Sequence, residues 1–269
     1  MTTMALTSPR RVSGAASQMP MRRVLGAYLA EARFEIVRHL KAPAFALPFL
    51  LIPVVLYLFF STVALNAPNA PRDPALRVDI RMFTGFGIVG VMGPALFAFG
   101  MAVAVDRDFG LLRLKRALPM PPMAYMLGKM GMSMLFSALV LLLMVAAGLF
   151  KGLDISLPRY AAIGAIGVMG TLPFCAIGLF IGSRVSGRSA PAWVNLAYLP
   201  MTYLSGLFFP MPEAIRTIVL ASPAFHLNQL ALQAAGVAGV MPIAWHVAAL
   251  VGITVLFAGL AAHRVMKMD

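Results

Sequence analysis

The feature that most restricts this chain is a run of 22 residues, 44–65 (AFALPFLLIPVVLYLFFSTVAL), without one formal charge. A helix needs about 20 apolar residues to cross the roughly 30 Å hydrocarbon core of a bilayer. Apolar runs recur at about 82–104, 127–150, 160–182, 189–209 and 243–262, with Lys129 the one Lys, Arg, Asp or Glu within them. Only helices and closed barrels satisfy every backbone polar group in lipid. The pattern therefore predicts an all-α polytopic membrane domain over 22–269 with six transmembrane helices. Composition agrees: 61% of the 269 residues are hydrophobic and 12% charged, whereas soluble domains are about 25% charged.

The flanks of the spans are also patterned. Residues 1–21 include Arg10 and Arg11 but no apolar run of signal-peptide length, and read as a disordered cytoplasmic tail. In 22–41, Leu25, Leu29, Ala32, Ile36 and Leu40 fall on one helical stripe, with Glu31, Glu35 and Arg38 opposite. That spacing predicts an N-terminal amphipathic helix lying in the membrane interface, ended by Pro43. Residues 210–242 are too apolar for an ordinary loop. They are also too interrupted, by Pro210, Pro212, Pro223 and Pro242, to cross. Two short re-entrant helices between spans five and six are expected.

Basic residues set the topology. Residues 1–43 hold seven Lys and Arg, 105–129 five, 183–188 two and the C-terminus two, sixteen in all against six in the opposite loops. The richer side should be cytoplasmic, which places both termini inside. The formal charge of +13 is thus read as a topology signal and a contact with anionic lipid, not as a nucleic-acid footprint.

Little in the sequence supports chemistry within this chain. The nine acids lie at span ends or in loops, and ion-coupled carriers usually keep an ionisable group inside the bundle. Lys129, near the start of the third span, is expected to snorkel to the interface. Gly128-Lys129 is followed by Met130, so no phosphate-binding loop is present. Cys175 stands alone within an apolar run, and the four histidines lack metal-site spacing. His226 reads as a hydrogen-bonded structural residue. No catalytic residue, metal or cofactor is expected in the chain itself.

Segment 104–129 is the most informative. Asp106 and Asp108 flank Arg107, Gly110 breaks the run, and Leu111, Leu112 and Leu114 alternate with Arg113, Lys115 and Arg116 before Pro119. On composition alone this is either a docking element for a soluble partner or a solvated basic loop. The run Asp106-Arg107-Asp108, Gly110, Leu111 to Leu118, Pro119 and Gly128-Lys129 resembles the cytoplasmic loop of type-2 ABC transporter permeases. Residues 199–227 resemble a second signature of that family, through Ser205-Gly206, Phe208-Phe209, Pro210, Pro223 and His226. One departure is Leu112-Arg113-Leu114, where family members often carry an acid.

The resemblance implies the membrane subunit of an ABC exporter in a bacterial inner membrane. Two permease chains, identical or related, would pair, and the ATP-binding partner subunits would hold ATP and Mg. It further implies docking through Glu31, Glu35, Arg38, Asp106, Arg107, Asp108, Gly110, Arg113 and Arg116. An outer gate or re-entrant segment would involve Ser205, Gly206, Phe208, Phe209, Pro210, Glu213, Pro223 and His226. The sparse polar groups in the spans fit an amphiphilic cargo, such as a drug, a lipid or a lipid-linked glycan. The alternatives are a non-transporting membrane scaffold or an ion-coupled carrier. Topology is testable in a Cys175→Ala background. A cysteine at Ser186 should react with an impermeant maleimide only after the cytoplasmic face is exposed, and one at Ala70 only from outside. The reverse pattern would overturn the assignment.

Overall fold

The computed structural model describes residues 20–66, 77–117, 121–204, 206–207 and 216–266. The expected tail up to residue 19, Pro119, Ser205, Phe208, Phe209, Pro210 and Glu213 lie outside the described residues, as does the Arg116 side chain. Among the described residues the chain is helical, with no strand.

An N-terminal helix, α1 (Met21–Leu40), leads through two residues into α2 (Pro43–Asn66). The next apolar stretch is one continuous helix made of α3 (Val78–Gly93), a π-helical stretch (Pro94–Met101) and α4 (Ala102–Asp108). A turn at Gly110, whose φ is +70°, leads to the short α5 (Leu111–Ala117). Then come α6 (Pro122–Phe150), α7 (Leu157–Met169), α8 (Thr171–Gly182) and α9 (Ala190–Leu204). The chain closes with α10 (Arg216–Leu220), α11 (Pro223–Ala234) and α12 (Ile243–Met266). Pro43, Pro122 and Pro223 each open a helix, where a missing N–H leaves no intrahelical bond unmade.

Among the described residues five helical stretches are long and apolar enough to cross a bilayer: Ala46–Val63, Val78–Asp108, Met123–Phe150, Leu157–Gly182 and Ile243–His263. They match five of the six expected spans. The expected fifth span is represented by α9, which has 15 residues with Pro200 inside it, too few to cross by themselves. The second stretch runs past its expected end at 104 to Asp108, and α5 follows within the 104–129 segment. The two short helices expected around Pro223 are α10 and α11.

The centre of the bundle is the second of these stretches. Its most apolar window is 78% buried, against 22% for the first and 11% for the last. Pro94 cannot donate to Gly90, and the helix widens to a π turn over the next residues. Ser133 and Ser137 of α6 donate to the carbonyls of Pro94 and Val91, each at 3.5 Å. The widened helix also packs on α8 at backbone distance. A Cβ at Gly100 would stand 2.8 Å from both the Cα and the carbonyl oxygen of Gly178. The Gly178–Gly182 pair, a frequent and weak signal in sequence, is therefore a real contact here.

Overpacking of this kind typically costs about 1–3 kcal/mol. Gly100→Ala should lower the thermal unfolding midpoint of the purified chain in detergent by several degrees. Gly131→Ala, where an added Cβ meets nothing within 4 Å, should leave that midpoint unchanged. Size-exclusion profiles after a temperature ramp would read both.

Candidate functional site

The acidic residues of α1 do not face outward. Glu35 is fully buried and Glu31 nearly so, because α1 lies side-on against the first turns of α6. Gly128 permits the approach: a Cβ there would sit 3.0 Å from the Glu31 Cγ and 3.3 Å from the Ala32 nitrogen. One residue further, Lys129 points into the contact. Its Nζ lies 3.1 Å from each carboxylate oxygen of Glu35 and 3.0 Å from Asp106 Oδ2. Lys129 does not snorkel, contrary to expectation: its side chain is 0% exposed. Two carboxylates within ion-pair distance hold it inside instead.

Further groups complete this cluster. The Tyr125 hydroxyl donates to Asp106 Oδ2 at 2.8 Å. Arg38 approaches Asp106 Oδ1 at 3.5 Å and Glu35 Oε1 at 3.9 Å. Lys115, from α5, pairs with Glu31, reaches Glu35 at 3.9 Å and lies over the Tyr125 ring. Three acids thus meet three cations, drawn from α1, α4, α5 and α6. His39 completes the rim, its Nδ1 2.9 Å from the Glu35 carbonyl oxygen. Burial pushes its pKa below the ordinary imidazole value of about 6.5. It is therefore neutral at pH 7, which leaves the cluster balanced.

The next two residues of α4 turn elsewhere. Successive helical side chains point about 100° apart, and Arg107 and Asp108 face the turn that joins α8 to α9. Arg107 donates to the carbonyls of Gly182 at 3.3 Å and Val185 at 2.6 Å. Asp108 Oδ2 accepts from the Gly187 amide at 2.6 Å, and its Oδ1 pairs with Arg107 at 3.2 Å. Asp106-Arg107-Asp108 is therefore a three-way fastener. Its first residue holds α1 and α6, and its second and third hold the 182–187 turn.

Of the other residues singled out in sequence, Gly110 forms the α4–α5 turn and Arg113 is exposed beside it. The opposite end of the bundle holds the remaining described ones. Gly206, at φ +67°, precedes the buried Leu207. Pro223 and His226 are buried at the start of α11. His226 Nε2 is 2.8 Å from the Leu220 carbonyl and its Nδ1 is 2.9 Å from His246 Nδ1. Because the carbonyl only accepts, Nε2 carries the His226 proton, and His246 donates to the other nitrogen. This bond pins α11 to α12, the structural role expected of His226.

Sequence reasoning missed Lys129 as the centre of the site and His246 as the partner of His226. The signal for Lys129 was present: a lone cation within an apolar run needs a buried partner or an exit to water. Among the described residues no group of three or more His, Cys, Asp or Glu is placed to hold a metal. The arrangement commits its three acids and three cations to one another. What it can do is mechanical, since it fastens four helices and one turn at one end of the bundle.

Residues 27–235 match the ABC-2 type transporter family. That range begins inside α1 and ends just after α11, and so contains the ion cluster and both sequence signatures. The chain is also 24% identical over 198 residues to a Bacillus subtilis (strain 168) protein named "Putative transport permease YvfS". The match covers 72% of this chain and 79% of that relative. Matched by the family over residues 27–235 and holding five membrane-length helices among its described residues, the chain belongs to the ABC-2 type transporter family, as a multi-pass membrane permease.

Proposed function

We propose that this chain is the permease subunit of an ATP-driven exporter that moves an amphiphilic cargo out of the cytoplasm of a bacterium, through the inner membrane. The end that carries α1, α5 and the 182–187 turn faces the cytoplasm, with both chain termini on that side. An ATP-binding partner subunit, which holds the ATP and Mg, docks there, and two permease chains together enclose the pathway. The observation that carries the reading is the ion cluster, which ties α1 and the short α5 to α4, the end of the most buried long helix, and to α6. A force applied to α5 by a partner reaches α4 and α6 through Lys115, Glu35 and Lys129 and the 182–187 turn through Arg107 and Asp108.

In this reading Glu35 and Asp106 act by positioning α1 and α4, since their side chains are committed within the chain. Arg113, exposed on α5, and the outer edges of Arg107 and Asp108 meet the partner. Segment 189–209 crosses as a sixth span. Ser205, Gly206, Phe208, Phe209, Pro210 and Glu213, with the helices after them, form a re-entrant outer gate. The apolar composition of the long helices supports an amphiphilic cargo.

Affinity purification of the tagged chain from its native membrane in mild detergent should recover an ATP-hydrolysing chain at one-to-one. Arg113→Glu should reduce that recovery severalfold while leaving membrane insertion unchanged. Recovery of a folded chain without ATPase, where a control transporter stays intact, would overturn the exporter reading. The cluster has its own test. Lys129→Met leaves two buried carboxylates without their central cation, a loss of about 3–5 kcal/mol. It should free α1, seen as new protease cleavage within 21–40. Combining it with Glu35→Gln should restore much of the protection.

A further inference from the structure

The ion cluster fixes the rotation of α1, and that has a consequence for its other side. With Glu31 and Glu35 turned inward, the outward face of α1 carries no acid. It carries cations and large apolar side chains instead. Leu25, Leu29, Arg33, Val37 and Lys41 follow one another at four-residue intervals along that face, and all are exposed, as are Arg22 and Arg23. Leu29 is 71% exposed and Leu25 56%, too much apolar surface for a helix that meets only water. Among the described residues none of Arg22, Arg23, Arg33 and Lys41 has a carboxylate within ion-pair distance. Two residues separate α1 from α2, the start of a membrane span, so the chain itself places this face at the bilayer surface.

We propose that the outward face of α1 is a docking surface for anionic phospholipid. Leu25, Leu29, Val37 and Leu40 enter the boundary of the acyl region, and Arg22, Arg23, Arg33 and Lys41 hold headgroup phosphates. Interleaved leucines and cations on a helix lying in the plane of the interface are the pattern that binds acidic leaflets. An acidic protein partner would complement the cations but leave the leucines unmatched. A neutral lipid would cover the leucines but leave four cations without counter-charge. Anionic phospholipid satisfies both, and it is the occupant that the attachment to α2 brings within reach. The inference rests on the chain's being a membrane protein and is independent of the exporter reading.

The test uses the full chain in nanodiscs of phosphatidylcholine alone or with phosphatidylglycerol. Each cation near an acidic surface is worth roughly a fivefold change in lipid partitioning. Native mass spectrometry should show the wild type retaining phosphatidylglycerol in preference to phosphatidylcholine. Arg22→Gln/Arg23→Gln/Arg33→Gln should lose at least about tenfold of that preference, with its thermal midpoint in detergent unchanged. A fluorophore at Leu29→Cys, in the Cys175→Ala background, should be quenched by lipids labelled shallowly in the acyl chain. Equal retention of the two lipids by the wild type would overturn the proposal. So would a fluorophore quenched only from the aqueous phase, or one shielded from both phases once a partner protein is bound.

Discussion

The structure depends on one ammonium group kept out of water. Lys129 stands at the level where α1, α4 and α6 converge, with no exposed surface. Desolvating such a charge costs several kcal/mol even after relaxation. The cost is offset only because two carboxylates and a tyrosine ring surround it, and because Tyr125 and Arg38 satisfy the outer oxygen atoms of Asp106. Such a cluster adds little net stability compared with a well-packed apolar core. What it does is select an arrangement. Only one rotation of α1 brings Glu31, Glu35 and Arg38 to Lys115, Lys129 and Asp106 together.

That selection explains an otherwise odd feature of α1, a helix that packs on its own protein with its acidic face and turns its leucines outward. In a soluble protein the reverse arrangement would be expected. Here the neighbouring helices supply the counter-charges and lipid supplies the apolar medium. The same logic orders Asp106-Arg107-Asp108. Three consecutive residues on a helix sweep about 200°, so a short charged run at the end of a span can address three neighbours at once. One turn later the peptide at Gly110 takes a positive φ, and α5 swings back so that Lys115 closes the cluster from the other side.

Much of this was legible in the sequence, and the limits have physical causes. Uncharged length located five of the six expected spans, because lipid imposes a length requirement that composition records directly. Pro43 marked the end of α1 and Pro223 the break between α10 and α11, whereas α6 starts at Pro122, five residues before the expected span. Legibility failed where a residue's environment is built by distant segments. Lys129 lies 94 residues from Glu35, and no local pattern says that a lysine near a span end will turn inward rather than snorkel. The same is true of Arg107, whose carbonyl acceptors lie 75 and 78 residues away. The π stretch after Pro94 was also hidden. A proline in an apolar run predicts a disturbed helix, but the serine donors that support it come from α6.

The close packing of the central helices decides what a displacement at the cluster can do. If α4 and α8 were separated by long side chains, a push on α5 would be absorbed by rotamer changes within the bundle. Instead Gly100 and Gly178 meet at backbone distance, and backbone contacts do not yield in that way. The π-helical stretch and α8 therefore move as one body, with Arg107 and Asp108 binding the turn at its end. The poorly buried α2 and α12 are the elements with room to move relative to that body. This division sets a closely packed centre against edge helices whose outward surfaces lie open to the bilayer.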